Sequence, residues 1–288
     1  MKKILIQLDT DEHPSTFDAI VAHDADVDVL LSHGNVDPKA AKGLVQSAVF
    51  TRGPKELSNT AVWVGGSRVS DGEQVFDEIQ KAFFGPFKVS AMIDSNGCNT
   101  TAATAVAMLA KRLDLKGRKV AIVGAGAVGL RAATLMRDEG CDVVIVGIPS
   151  SRFGGGEHRR ARGLDTAEEL DLAIAEPRDD DALAEAVEGA SLVLAAGPAG
   201  VELLPNAIWT KLGEAEVLVD FNAAEPLGIE DSDAQDDFEE REGKQILGAL
   251  AVGGPKMKVH KACIRRMFES NDVLLDAEGV YAVAKELV

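Results

Sequence analysis

Short apolar runs alternate with stretches of helical periodicity along most of this 288-residue chain. In the first part, residues 3–8, 27–32, 48–51, 60–64 and 88–93 read as strands. Between them, 15–23, 38–46 and 71–84 carry helix-like spacing or start signals, and Asp71 with Gln74 resembles a capping box. Residues 99–112, rich in alanine, predict a longer helix. A second alternating series follows Leu115-Lys116-Gly117-Arg118-Lys119: strands at 119–123, 142–146, 191–195, 217–221 and 246–252, with a helix from the end of the first strand to about 139. The last helices are expected near 260–268 and 277–285. Strands alternating with helices imply mostly parallel sheets covered on both faces. The expected architecture is therefore α/β with two α/β domains, the second a Rossmann-type doubly wound parallel sheet, and a cleft between them. Residues 1–114 form the first domain, 115–255 the second, and 256–288 are helices returning to the first.

Composition narrows the chemistry. Thirty Lys and Arg stand against 47 Asp and Glu, a formal net charge of −17, which disfavours a nucleic-acid partner. Cys98, Cys141 and Cys263 lie far apart with no metal-ligand spacing, so neither a structural zinc nor a disulfide framework is expected. The opening Met1-Lys2-Lys3 looks like a signal n-region for three residues only, because Asp9, Asp11 and Glu12 end the apolar run. No run approaches the ~18 apolar residues of a membrane span. A protein free of the membrane and located in the cytoplasm is the expectation. Charge is also uneven. Residues 230–242 hold eight acids and one Arg and read as a solvated loop or helix face, whereas 152–162 hold four Arg and one Glu.

Gly124-x-Gly126-x-x-Gly129 follows an apolar strand and opens a helix, the context in which this spacing binds dinucleotides. Gly124 would make the turn, Gly126 would admit the pyrophosphate, and Gly129 would let helix and strand pack. Backbone N–H groups at Ala127 and Val128 would face the pyrophosphate. The carboxyl end of the second strand carries no Asp or Glu for a ribose diol. Ser150, Ser151 and Arg152 follow instead and suit a 2′-phosphate, so NADP is the expected cofactor, with NAD the alternative. Ala196 and Gly197 after the next strand, and Asn222 after the one beyond it, are candidate contacts for the nicotinamide side. Ordinary loop chemistry is the competing explanation for both.

Several stretches carry a resemblance. They are Asp9-Thr10-Asp11, Pro14-Ser15-x-Phe17-Asp18, Phe84-Gly85-Pro86-Phe87, Asp94-Ser95-Asn96-Gly97-x-Asn99-Thr100-Thr101 and Gly253-Gly254-x-Lys256-x-Lys258-x-His260. Together the sequence resembles the NADP-dependent methylene-tetrahydromethanopterin dehydrogenases of one-carbon-metabolising bacteria. That resemblance implies hydride transfer from methylene-tetrahydromethanopterin, and in some members from methylene-tetrahydrofolate, to NADP. It also implies a homo-oligomer, with a trimer one candidate state. The sequence departs from the family pattern after Gly147, where Ile148 and Pro149 intervene before Ser150.

Removing hydride from a CH₂ held between two nitrogens leaves a delocalised cation, and no proton leaves the reacting carbon. The chemistry therefore needs positioning and exclusion of water rather than a general base. Asp9, Thr10 and Asp11, with Ser15, Thr16 and Asp18 just beyond, and Asp94, Ser95, Asn96, Asn99, Thr100 and Thr101 sit where strands of the first sheet would end and are candidate pterin contacts, with helix capping by Asn96 or Asn99 as the competing role. Lys256, Lys258 and His260 would share one face of an extended segment. Lys256 is assigned to the pterin carbonyl or the carrier's tail, His260 to orienting substrate or to a structural role, and Asp18 to balancing the cation. Two other readings stay open: a different two-domain Rossmann enzyme, such as a shikimate or amino-acid dehydrogenase, and a non-enzymatic NADP-binding module.

Overall fold

A computed structural model describes residues 1–153 and 162–288. The strands are β1 (Ile4–Asp9), β2 (Val29–His33), β3 (Thr60–Gly65), β4 (Ser90–Ile93), β5 (Lys119–Val123), β6 (Asp142–Val146), β7 (Ala173–Ala175), β8 (Leu192–Ala195), β9 (Val217–Asp220), β10 (Asp237–Arg241), β11 (Lys244–Leu247) and β12 (Leu274–Leu275). The helices are α1 (Thr16–Asp24), α2 (Pro38–Val49), α3 (Val69–Ala82), α4 (Cys98–Arg112), α5 (Ala127–Asp138), α6 (Arg162–Glu169), α7 (Asp180–Val187), α8 (Asn206–Trp209), α9 (Ala249–Arg266) and α10 (Ala277–Leu287). The chain divides into two units, Met1–Thr100 with Lys256–Leu287, and Thr101–Pro255. It passes from one to the other within α4 and back within α9.

The first unit holds a parallel sheet in the order β12-β4-β3-β1-β2. All six residues of β3 and all four of β4 are buried, as strands covered on both faces require. Val62, Val64, Val75, Ile79 and Val45 belong to one apolar cluster that fastens α2 and α3 to the sheet. From β1 the chain steps to β2 on one side, then to β3 on the other. The carboxyl ends of β1 and β3 therefore flank a topological switch point, where open α/β sheets bind ligands.

The second unit holds seven strands in the order β10-β11-β9-β8-β5-β6-β7. Read from β7, the six parallel strands follow the order 3-2-1-4-5-6 of a dinucleotide-binding sheet, with the switch point between β5 and β8. Strand β10 is added antiparallel through a two-residue turn in which Glu242 and Gly243 both have positive φ, 49° and 75°.

Four expectations are corrected. Residues 48–51 are not a strand. Asp37 caps α2 through Ala40 N, Pro38 opens it, and the helix runs to Val49 with Ala41, Val45, Ala48 and Val49 on its buried face. No capping box starts α3: its N-cap is Arg68, without a side-chain cap, and Asp71 lies in the first turn, 3.3 Å from the Arg68 guanidinium. The run 246–252 splits at Gly248, with β11 before it and α9 after. A Cβ on Gly248 would lie 2.3 Å from the Asp233 carbonyl oxygen, so only glycine fits that break. The acidic stretch 230–242 is a loop over 230–236, as expected, but 237–241 then form β10, an edge strand.

Candidate active site

A pocket of about 330 Å³ opens at the switch point of the first sheet. Asp9, Asp11, Ser15 and Asp18 reach it from the end of β1 and the start of α1, with His13 and Phe17 beside them. Gly66 and Ser67 come from beyond β3, Asn96 and Gly97 from beyond β4, and Lys256 from α9.

The loop after β1 is built by its own carboxylates. Asp9, 1% exposed, accepts from Asp11 N at 2.9 Å and Ser15 N at 3.0 Å. Asp11 accepts from both the N and the Oγ of Ser67 at 2.9 Å, which ties the loop after β1 to the one after β3. Ser15 caps α1 by accepting from Asp18 N at 3.2 Å. At Gly66, φ is +122° and a Cβ would fall 1.9 Å from Thr10 Oγ1, so glycine alone lets these two loops approach.

Asp18 is the displaced acid of this pocket. Burial pushes its pKa from 3.8 up to about 6, and Asp94 and Asp9 push the same way. The Ser15 hydrogen bond and the Lys256 charge pull against them. Buried Asp94 is also raised by desolvation, with Lys256 and Thr100 opposing. Its oxygens are used inside the turn from β4 to α4, accepting from Thr100 N at 3.0 Å and Thr100 Oγ1 at 2.6 Å. Asn99 Nδ2 donates to the Ile93 carbonyl at 2.8 Å. Asp94 is thus the residue that holds the first turn of α4, where Asn96 or Asn99 was expected to. Asn96 itself is exposed in the left-handed region at φ 54° and lines the pocket.

Lys256 and His260 lie on a helix, not an extended segment. Four residues apart on α9, they share a face, and exposed Lys258 does not. His260 is 0% exposed, stacked on Trp63 with ring centroids 4.6 Å apart and planes at 10°. Its Nδ1 stands 3.4 Å from Lys256 Nζ. Burial first, and the Lys256 charge second, hold the imidazole pKa well below its ordinary value. A neutral ring accepting from the ammonium at Nδ1 carries its proton on Nε2. That atom, like Trp63 Nε1, is buried without a hydrogen-bond partner among the described residues.

Of the substrate candidates, the structure brings Asp9, Asp11, Ser15, Asp18, Asn96 and Lys256 to the pocket wall. Asp94, Asn99 and Thr100 form the turn beside Asn96 and Gly97. Exposed Thr16, half-buried Thr101 and buried His260 are not among its lining residues. Sequence reasoning missed His13, Phe17, Gly66 and Ser67; the Gly65-Gly66 pair closing a buried strand was the available signal for the last two.

In the second unit the glycine fingerprint has the geometry of an anion cradle. Gly124 has φ +110°, and its Cβ would lie 2.6 Å from the Ala196 carbonyl oxygen. A Cβ on Gly129 would lie 2.4 Å from the Gly124 carbonyl oxygen. Gly126 is the N-cap of α5 and puts no side chain over the first-turn N–H groups of Ala127, Val128 and Gly129. Ala196 and Gly197 stand against this turn and against Ile148 and Leu203. Asn222 is turned inward: its Nδ2 donates to the Pro226 carbonyl at 3.1 Å and its Oδ1 accepts from Ala224 N at 3.0 Å. A nicotinamide contact would compete with those bonds. Ser150, Ser151 and Arg152 form a short 3₁₀ turn after β6. Residues 154–161 of the basic island lie outside the described residues.

Residues 16–96 match the family model for the N-terminal part of methylene-tetrahydromethanopterin dehydrogenase, and 112–228 match a putative NAD(P)-binding family. The bifunctional protein MdtA of Methylorubrum extorquens is 44% identical over 99% of both chains. From the same organism, the NAD(P)-dependent methylenetetrahydromethanopterin dehydrogenase is 31% identical, again over 99% of both. This chain belongs to the methylenetetrahydromethanopterin dehydrogenase family. The fold is similar to that of a solved bifunctional methylenetetrahydrofolate dehydrogenase/cyclohydrolase from Campylobacter jejuni. That structure shows 13% identity and a TM-score of 0.51 over 100% of this chain and 90% of that one.

Proposed function

We infer that the chain oxidises methylene-tetrahydromethanopterin to the methenyl form by hydride transfer to NADP. The observation that carries this reading is the full-length similarity to a dehydrogenase named for that substrate. The glycine cradle at α5 would hold the dinucleotide, whose nicotinamide supplies the hydride acceptor. The polar pocket after β1 would hold the pterin.

Each pocket residue then has work that needs no general base. Ser15 and Asn96 offer hydrogen bonds to a ring rich in donors and acceptors. The Asp18 carboxylate, ionised above about pH 6, places negative charge where the methenyl cation develops. Lys256 would oppose that cation if it stood alone. Asp18 and Asp94 offset its charge, and its ammonium is directed by His260, which suits it to a pterin carbonyl or the anionic tail of the carrier. His260 acts through Lys256 in this scheme. Methylene-tetrahydrofolate, which shares the reacting centre, is a second substrate. The same reading places the protein in the cytoplasm as a homo-oligomer, with a trimer the first state to test by light scattering.

The deciding experiment is a spectrophotometric assay of methylene-tetrahydromethanopterin with NADP and with NAD. Formation of the methenyl chromophore and of reduced nicotinamide in equal amounts is expected. Dinucleotide binding without turnover would replace this reading with that of a binding module.

A further inference from the structure

Arg152 does not stand free beside the second Rossmann strand. Its Nη2 is 2.6 Å from Asp180 Oδ1, and its Nη1 is 3.0 Å from Glu202 Oε1. The side chain is 16% exposed, and Nε is buried without a hydrogen-bond partner among the described residues. The three residues come from three different places in the topology. Arg152 follows β6, Asp180 is the first residue of α7 after β7, and Glu202 lies on the segment after β8. All three segments leave the carboxyl edge of the sheet, and β8, β5, β6 and β7 are consecutive neighbours there. Adenosine binds along that edge, on the β6 side of the cradle at Gly124. Two carboxylates on one guanidinium leave the cluster one unit negative.

A 2′-phosphate needs the fork of an arginine for bidentate pairing. Here each Nη already faces a carboxylate. A phosphate that pairs with Arg152 must share the guanidinium with those carboxylates or displace one, and either way they repel the incoming dianion. The ribose of NAD, carrying only hydroxyls, makes no such demand. We propose that Asp180 and Glu202 set the choice between NADP and NAD by competing with the 2′-phosphate for Arg152. The proposal rests on the reading that the second unit binds a nicotinamide dinucleotide.

The test is calorimetric binding of NADP⁺ and NAD⁺ to the full chain, supported by 2′,5′-ADP and 5′-AMP as probes of the phosphate alone. In the double variant D180N/E202Q, the preference for NADP⁺ over NAD⁺ should rise at least about tenfold, and that for 2′,5′-ADP over 5′-AMP should rise with it. In R152A, with both carboxylates left in place, the same ratios should fall at least about tenfold. Both carboxylates reach solvent, so the amide isosteres should leave the thermal transition close to wild type. A preference in the double variant within about twofold of wild type overturns the proposal. If the wild-type chain binds neither dinucleotide, the failure belongs to the cofactor reading instead.

Discussion

Asp18 couples the site to pH. Its carboxyl, raised from 3.8 to about 6, must be ionised to face a developing cation. kcat/KM for the pterin should therefore fall as pH drops through about 6 and level off above it, and Asp18→Asn should remove that inflection while lowering the plateau roughly 10- to 100-fold. Stability runs the other way. A carboxyl with a raised folded pKa contributes stability below 3.8 that is lost as pH rises through about 6. At pH 8 the Asn variant should be the more stable protein, by up to about 3 kcal/mol in denaturant titration. At His260, the Nδ1 acceptor is what matters for Lys256. His260→Asn, which keeps a side-chain oxygen near that position, should retain most of the pterin KM. His260→Leu should raise it about tenfold or more with NADP binding unchanged. Equal KM values in the two variants would show that the ring serves packing against Trp63 only.

At the scale of elements, the two sheets were readable because parallel strands buried on both faces are continuous apolar runs bounded by turn residues. β3 and β8 are of that kind. The failures have local causes. β7 carries no strand signal in the sequence, because it is three residues of Ala-Ile-Ala. Residues 48–51 looked like a strand because the last apolar turn of α2 runs into Phe50. α9 begins in a Gly-rich, Pro-containing stretch whose pattern reads as extended, and the helix keeps Lys256 and His260 on one face but turns Lys258 away. Chemistry-bearing residue types stood out in the sequence. Which of them face a cavity and which brace a turn depended on partners far along the chain, as with Asp11 and Ser67. Two element-scale outcomes are measurable. Asp37→Ala removes the side-chain cap of α2 and should cost about 1 kcal/mol in equilibrium unfolding. Gly129→Ala forces a methyl against the Gly124 carbonyl oxygen and Ala196 Cβ. It should cost about 1–3 kcal/mol and weaken dinucleotide binding with it.

For the whole molecule, the charge of −17 is distributed with a purpose that the edge of the second sheet makes visible. β10 ends that sheet with Asp237, Glu239 and Glu240 exposed. The pairing slips between Asp237 and Glu239, where Phe238 takes φ 57° and turns inward, 8% exposed, with the Arg112 guanidinium 3.9 Å from its ring centre. A bulge and a row of like charges are two ways of making a strand a poor template for another strand. A second chain arriving edge to edge would meet a ladder out of step and a line of carboxylates facing its own. The acidic hairpin is therefore an edge poorly suited to pairing with another sheet. Its protection should weaken as the solution is taken down toward the isoelectric point near 4.7, where the net charge of the chain approaches zero.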